Sequence, residues 1–282
     1  MAFFQLGNQG TGVQVIQTAL IQKGYLQGTV DGNFGPQTTA AVKAFQQANG
    51  LSPDGIVGPA TSAVLLGTAA NTATTPGIDV SHFQGSVNWV NVFAAGTVFV
   101  FLKATEGMNF TDPTYQANLT DARNAGLLCG AYHFFDPTAD PNDQADYFCS
   151  QASYKPGDLP PVLDIEATPP ESWSNLSPAQ SIILVQQWLN QVQDNLKAKP
   201  IIYAASSFMQ EVLGGTTQFQ GYPLWLARYA PVAGTLPQGW NDWTFWQYSQ
   251  SGQIAGVTGA VDMDYFNGPP AELKAFTSSI AL

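Results

Sequence analysis

The sequence predicts an α/β protein: an irregular β/α barrel preceded by a small all-α domain of three helices. Two observations carry that expectation. From residue 77 onward, eight short apolar runs alternate with amphipathic or polar stretches, the pattern of strands joined through helices. Ahead of them, a turn motif occurs twice between helical faces. The expected boundaries are 1–67 for the first domain, 68–76 for a linker and 77–282 for the barrel. A chain of 282 residues has room for both units.

In the first domain, "DGNFGPQT" at 31–38 recurs as "DGIVGPAT" at 54–61, keeping D-G-x-x-G-P-x-T at an offset of 23 residues. Glycine permits the tight turn, and Pro36 and Pro59 suit the first position of a helix, where no N–H is needed. Val13, Ile16 and Leu20 mark one helical face, and Val42, Phe45 and Asn49 a second. Nothing here looks reactive. "GTAANTATTPG", residues 67–77, has no large apolar side chain and reads as a linker.

In the second domain the candidate strands are "GIDVS", "VFVFLKATE", "LLCGAYHFF", "PVLDIEA", "PIIYAAS", "LWLARY", "TFWQYSQ" and "VDMDYF". Helices are expected near 114–126, 140–153 and 177–196, the last opened by Ser177 as a cap before Pro178. The later strands leave little room for helices between them, hence an irregular barrel. In such barrels the C-terminal ends of the strands carry the chemistry.

Charge narrows the partners. Lys and Arg number 9 against 20 Asp and Glu, a net charge of −11. Residues 1–76 hold only Lys23, Lys43, Asp31 and Asp54, so the surplus belongs to the barrel. Such a body repels phosphates, which argues against nucleic acid and against an anionic membrane surface. No apolar run is long enough to span a bilayer, and "MAFFQLGNQG" lacks a basic n-region and a long h-region, so no secretory leader is expected. Cys129 and Cys149 match no metal spacing; a disulfide and a simple buried contact both stay open.

The chemistry centres on acids. Residues i and i+2 of a strand share a face, so Asp164 and Glu166 project together while Leu163 and Ile165 face the helices. Two close carboxylates in a low dielectric cannot both ionise cheaply, so one holds a proton near neutral pH. Glycosidic cleavage needs such an acid, which protonates the leaving oxygen while its partner stabilises positive charge on the sugar. A structural ion pair is the plain alternative, with Lys103 and Arg228 as the available cations. Asp79, Glu106, Asp262 and Asp264 sit on other candidate strands. Tyr132, Tyr203, Trp225 and Tyr229 offer rings that stack on sugars, whereas Trp243 and Phe245 are expected in the core.

These segments resemble known families. The doubled D-G-x-x-G-P-x-T over about 6–66 resembles the type-1 peptidoglycan-binding domain. "GIDVSHFQG", "FLKATEG", "GAYHFF", "PVLDIEA", "WLARY" and "WQYSQSGQIAGVTGAVDMDYFNG" resemble glycoside hydrolase family 25, the Chalaropsis-type lysozymes. That resemblance implies a modified TIM-like barrel and hydrolysis of the β-1,4 bond from N-acetylmuramic acid to N-acetylglucosamine. It implies Glu166 as general acid, Asp164 as its partner, and Asp79 and Asp262 completing an acidic floor. It also implies Tyr132, Tyr203 and Trp225 along a sugar groove, with Asp264 beside them. Asp264 departs from the family pattern, which more often has Asn there. The expected protein is a monomer acting on bacterial peptidoglycan without metal or cofactor, either as a secreted enzyme or as a phage lysin released from the host cytoplasm.

Other classes fare worse. His82 and His133 are the only histidines and H-E-x-x-H is absent, which disfavours a zinc hydrolase. No G-x-S-x-G elbow occurs, nor the D-x-x-D-x-D-x-E run of chitinase-like enzymes. A catalytically dead sugar-binding protein would have no need of the acid pair.

Overall fold

A computed structural model describes residues 4–66, 74–167, 172–230 and 232–279. The linker expected at 68–76 falls mostly outside the described residues, and Thr75 and Pro76 already belong to the first strand.

The first domain contains helices α1 (Thr11–Gln22), α2 (Pro36–Ala48) and α3 (Pro59–Leu65). Both D-G turns are built around a buried glutamine. The Gln17 side-chain amide donates to Asp31 Oδ1, the Asn33 carbonyl and Thr38 Oγ1, while its oxygen accepts from Gly32 N–H. Gln46 repeats the scheme on Asp54, the Ile56 carbonyl, Thr61 and Gly55 N–H. The repeated motif is therefore a repeated hydrogen-bond socket, in which every polar atom of a buried amide has a partner. Asn49 differs from the expectation. It caps α2 from an exposed position, its side chain donating to the Phe45 carbonyl, and Gln46 takes the buried place beside Phe45.

The second domain is a closed barrel with strands in the order β1 (Thr75–Val80), β2 (Phe99–Glu106), β4 (Leu128–Phe134), β5 (Val162–Asp164), β6 (Ile201–Ala205), β7 (Leu224–Ala227), β8 (Phe245–Gly252) and β9 (Val261–Phe266). The two-residue β3 (Phe110–Thr111) pairs back on β2 as a hairpin. Apart from β3, the strands from β1 to β8 run parallel around the barrel, whereas β9 is antiparallel to both its neighbours. A parallel crossover needs a dozen or more residues, and the segment between Gly252 and Val261 is shorter than that. The chain turns straight back instead. In consequence the beginning of β9, not its end, lies at the mouth formed by the C-terminal ends of the other strands.

Helices α4 (Trp89–Ala94), α5 (Tyr115–Ala125), α6 (Pro141–Gln151) and α7 (Pro178–Leu196) cover the earlier strands, and α8 (Ser206–Glu211) is short. Ser177 caps α7 in a reciprocal pair with Gln180, as its position before Pro178 predicts. Helix α9 (Pro270–Ser279) follows β9 and brings Leu273 into the barrel core at the end opposite the mouth.

Inward-facing Phe99, Phe101, Val162, Ile201, Trp225 and Phe245 fill the barrel, while Leu163 and Ile165 join the layer beneath the helices. Gly77 makes room for this packing, since a Cβ there would sit 2.3 Å from the Phe99 ring. Trp243 is only half-buried, lying just outside β8 and edge-on to Trp246 at 5.7 Å. Cys129 faces the helices as the inward setting of Tyr132 requires, and both cysteines are free.

The two domains share one apolar layer. Phe4 is buried, lies 6.0 Å from Phe93 of α4, and covers Gly126 at the end of α5. Gly126 has φ 101°, and any Cβ on it would collide with the Phe4 ring.

Candidate active site

The mouth collects the acids that the strand pattern brings to it. Asp79 lies near the end of β1, directly paired with Asp262 on the reversed β9, and Asp264 sits one layer deeper beside Gly77. Asp164 ends β5, and Glu166 follows two residues on, just beyond the strand. In the closed strand order β5 stands opposite β9, so the Asp164/Glu166 pair faces Asp262 across the opening.

Burial and mutual repulsion set the protonation of this cluster. Burial, then the charge of Glu166, pushes the Asp164 carboxyl well above the usual carboxylate range, with Lys103 opposing and a hydrogen bond to Glu166 holding the proton. One proton is therefore shared within the pair. Asp79 is likewise raised by burial and by the charges of Asp264 and Asp262, and its carboxyl shares a hydrogen bond with Asp264. Asp262 is half-buried and is pushed up to about 6, by desolvation first and Glu166 second. The Glu166 side chain is more exposed than that of Asp164, and its backbone carbonyl accepts a 2.8 Å bond from Trp173 Nε1.

Beneath the acids a hydrogen-bond chain crosses the barrel. The Tyr203 hydroxyl on β6 donates to Gln247 Oε1 at 2.8 Å, and Gln247 Nε2 donates to Asp79 Oδ2 at 2.6 Å. Trp225 Nε1 donates to Asp264 Oδ1 at 2.8 Å, with its ring stacked on Phe101 at 4.4 Å. Tyr203 and Trp225 are thus both buried under the acids, whereas Tyr132 is half-buried. Tyr229, at the end of β7, is 50% exposed and shares a hydrogen bond with Tyr203.

Of the two cations weighed against the acids, Lys103 bonds to Glu106 Oε2 at 2.7 Å, and Arg228 is exposed and lies against Gly234. His133 is fully buried between Thr105 and Gln144, and desolvation lowers it to about 3, so it is neutral and belongs to the core. One residue of the site escapes sequence reasoning, Gln247, whereas Tyr229 stands exposed beyond β7 as a ring candidate and Lys103 is a buried neighbour of Asp164. Gln247 carries no signal of its own. Its place follows from β8 closing against β9, which the short connection between them foretells.

Residues 78–257 match the model for glycosyl hydrolases family 25, and residues 9–65 match that for a putative peptidoglycan binding domain. Lysozyme M1 of Streptomyces globisporus is 39% identical over 248 residues, covering 84% of this chain and 80% of that protein. An N,O-diacetylmuramidase of Arthroderma benhamiae is 33% identical, covering 71% and 85% respectively. The crystal structure of the bacterial lysozyme from Streptomyces coelicolor superposes with a TM-score of 0.71 at 40% identity, covering 74% of this chain and 99% of that one. With the family model spanning more than half its length, the chain is a glycosidase and belongs to glycosyl hydrolases family 25.

Proposed function

We propose that this protein is an N-acetylmuramidase that cleaves the β-1,4 bond between N-acetylmuramic acid and N-acetylglucosamine in bacterial peptidoglycan, working as a monomer at the cell wall. The observation that carries the reading is the placement of buried Asp164 and the more exposed Glu166 side by side at a barrel mouth, facing Asp262. With the site empty, Asp164 holds the shared proton against Glu166. Transfer to Glu166, the more exposed member, arms the general acid and leaves Asp164 an anion. Glu166 then passes the proton to the bridging oxygen as the C1–O bond breaks and its electron pair stays with that oxygen.

Asp164 stands beside Glu166 rather than across from it, which suits a group that holds the substrate more than a nucleophile that flanks the bond. As an anion it accepts the acetamido N–H, turning the acetamido oxygen towards C1. Water completes hydrolysis, with the Glu166 carboxylate accepting its proton. Asp262 supplies negative potential under the developing positive charge, and Asp79, which shares a hydrogen bond with Asp264, is fixed from below by the Tyr203–Gln247 chain. Tyr132, half-buried at the mouth, lines the sugar groove, and Tyr203, Trp225 and Asp264 support its floor. The first domain holds the enzyme to the wall.

Glu166→Gln tests this assignment. The variant should lose on the order of 10²–10⁴ in rate on purified peptidoglycan while still sedimenting with cell walls. The wild type should create new reducing ends at muramic acid and leave chitin intact. Turnover by Glu166→Gln close to wild type would overturn the role of the acid.

A further inference from the structure

A line of aromatic faces runs from solvent to the acid pair, and the chemistry above does not use it. At its outer end Phe83 is 81% exposed, the most exposed large apolar side chain among the described residues. His82 lies against it with ring centroids 4.2 Å apart, and Phe110 meets His82 edge-on at 5.8 Å. The Lys103 ammonium bridges inward, 5.8 Å from the Phe110 centroid and 4.7 Å from that of Phe134. Phe134 is the β4 neighbour of Asp164. Met108, 46% exposed, lies in the β2–β3 turn beside this line.

The outer end is braced. Ser81 and Gln84 form a reciprocal cap around the 3₁₀ turn His82–Gln84. Asp112 Oδ2 accepts from both the His82 backbone N–H and its ring Nδ1, and Asp112 Oδ1 accepts from Thr114 N–H and Oγ1. A phenyl ring held this firmly in water forgoes burial without gaining freedom, which marks a surface awaiting a partner.

We propose that Phe83, Phe110 and Phe134 form a subsite for further N-acetylhexosamine units of the glycan strand, carrying the groove outward over β1–β3. The proposal rests on the muramidase reading. Three observations favour sugar rings as the occupant. The line is continuous with the acid pair, so a polymer reacting there passes over it. Its polar groups are already engaged, Lys103 in an ion pair with Glu106 and the Asp112 carboxylate by hydrogen bonds from His82 and Thr114, which leaves ring faces suited to neutral sugars. The net charge of −11 disfavours the carboxylate-bearing stem peptides as the bound part. In the strand order β2 stands opposite β7, so the exposed Tyr229 marks the far end of the same path.

The test compares kcat/KM for wild type, Phe83→Ala and Phe83→Trp on three substrates: long peptide-free glycan strands, the shortest cleavable oligosaccharide, and intact peptidoglycan. Phe83→Ala should lose about five- to tenfold on long strands, with and without peptides, stay within about twofold on the short one, and be rescued by Trp. An equal effect on all substrates, or none on any, overturns the subsite. A loss confined to intact peptidoglycan assigns the aromatic line to the stem peptide and overturns it too. Because wild-type cleavage is scored in the same series, failure of the subsite is distinct from failure of the muramidase reading: a wild type that leaves every substrate intact sinks both.

Discussion

Asp262 stores a measurable cost. Its carboxyl is pushed up to about 6 in the folded protein, against an ordinary value of 3.8. It therefore binds its proton more tightly folded than unfolded. Its favourable contribution is complete below about pH 3.8 and is lost as the pH rises through 6. Roughly two pH units at about 1.4 kcal/mol each make an ionised Asp262 cost about 3 kcal/mol by about pH 8, and about half of that near pH 5. Asp262→Asn removes this cost, and it also removes a charge that raises Asp79. The variant should melt about 6–12 °C above wild type at about pH 8, at about 2–4 °C per kcal/mol for a domain of this size. The gain should shrink towards zero near pH 4 while hydrolysis falls, a trade of activity for stability. Scanning calorimetry of both proteins across that pH range reads the effect. A variant less stable than wild type at about pH 8, or a gain independent of pH, would refute the reasoning.

Two further outcomes follow from groups outside the acid cluster. Gln46→Ala strands the partners of one socket, including Gly55 N–H, and should destabilise the first domain by about 2–4 kcal/mol; a loss under about 0.5 kcal/mol in urea unfolding would show the socket to be incidental. Burial pushes both thiols up, Cys149 to about 11 and Cys129 further, so neither should react with a thiol reagent in the native protein at neutral pH. Both should react in denaturant, and two rapid equivalents under native conditions would contradict the burial.

Much of the barrel was readable because its physics is local. Short apolar runs locate the strands, the i, i+2 rule turns Asp164 and Glu166 together, and the crowding of the last strands signals irregularity. The rest depends on which strands meet. Gln247 is one polar residue in "TFWQYSQ" until the closed barrel sets β8 against β9 and across from Tyr203. Trp225 reads as a groove aromatic because a flat ring on a barrel strand can stack on a sugar, and in the folded barrel its indole is stacked on Phe101 and bonded to Asp264. The sockets of the first domain stayed hidden for a different reason. Gln17 precedes its turn by 14 residues and Gln46 by eight, so no fixed spacing joins glutamine to motif.

The contact between Phe4 and Gly126 bears on how this enzyme meets an insoluble polymer. A module on a free leash searches a sphere around its attachment point and strikes bonds in any direction. Here the shared apolar layer sets an angle between anchor and groove, so a molecule seated on the wall favours strands lying at one inclination to it. Its next cut then depends on the local weave of the polymer rather than on how far a linker can stretch.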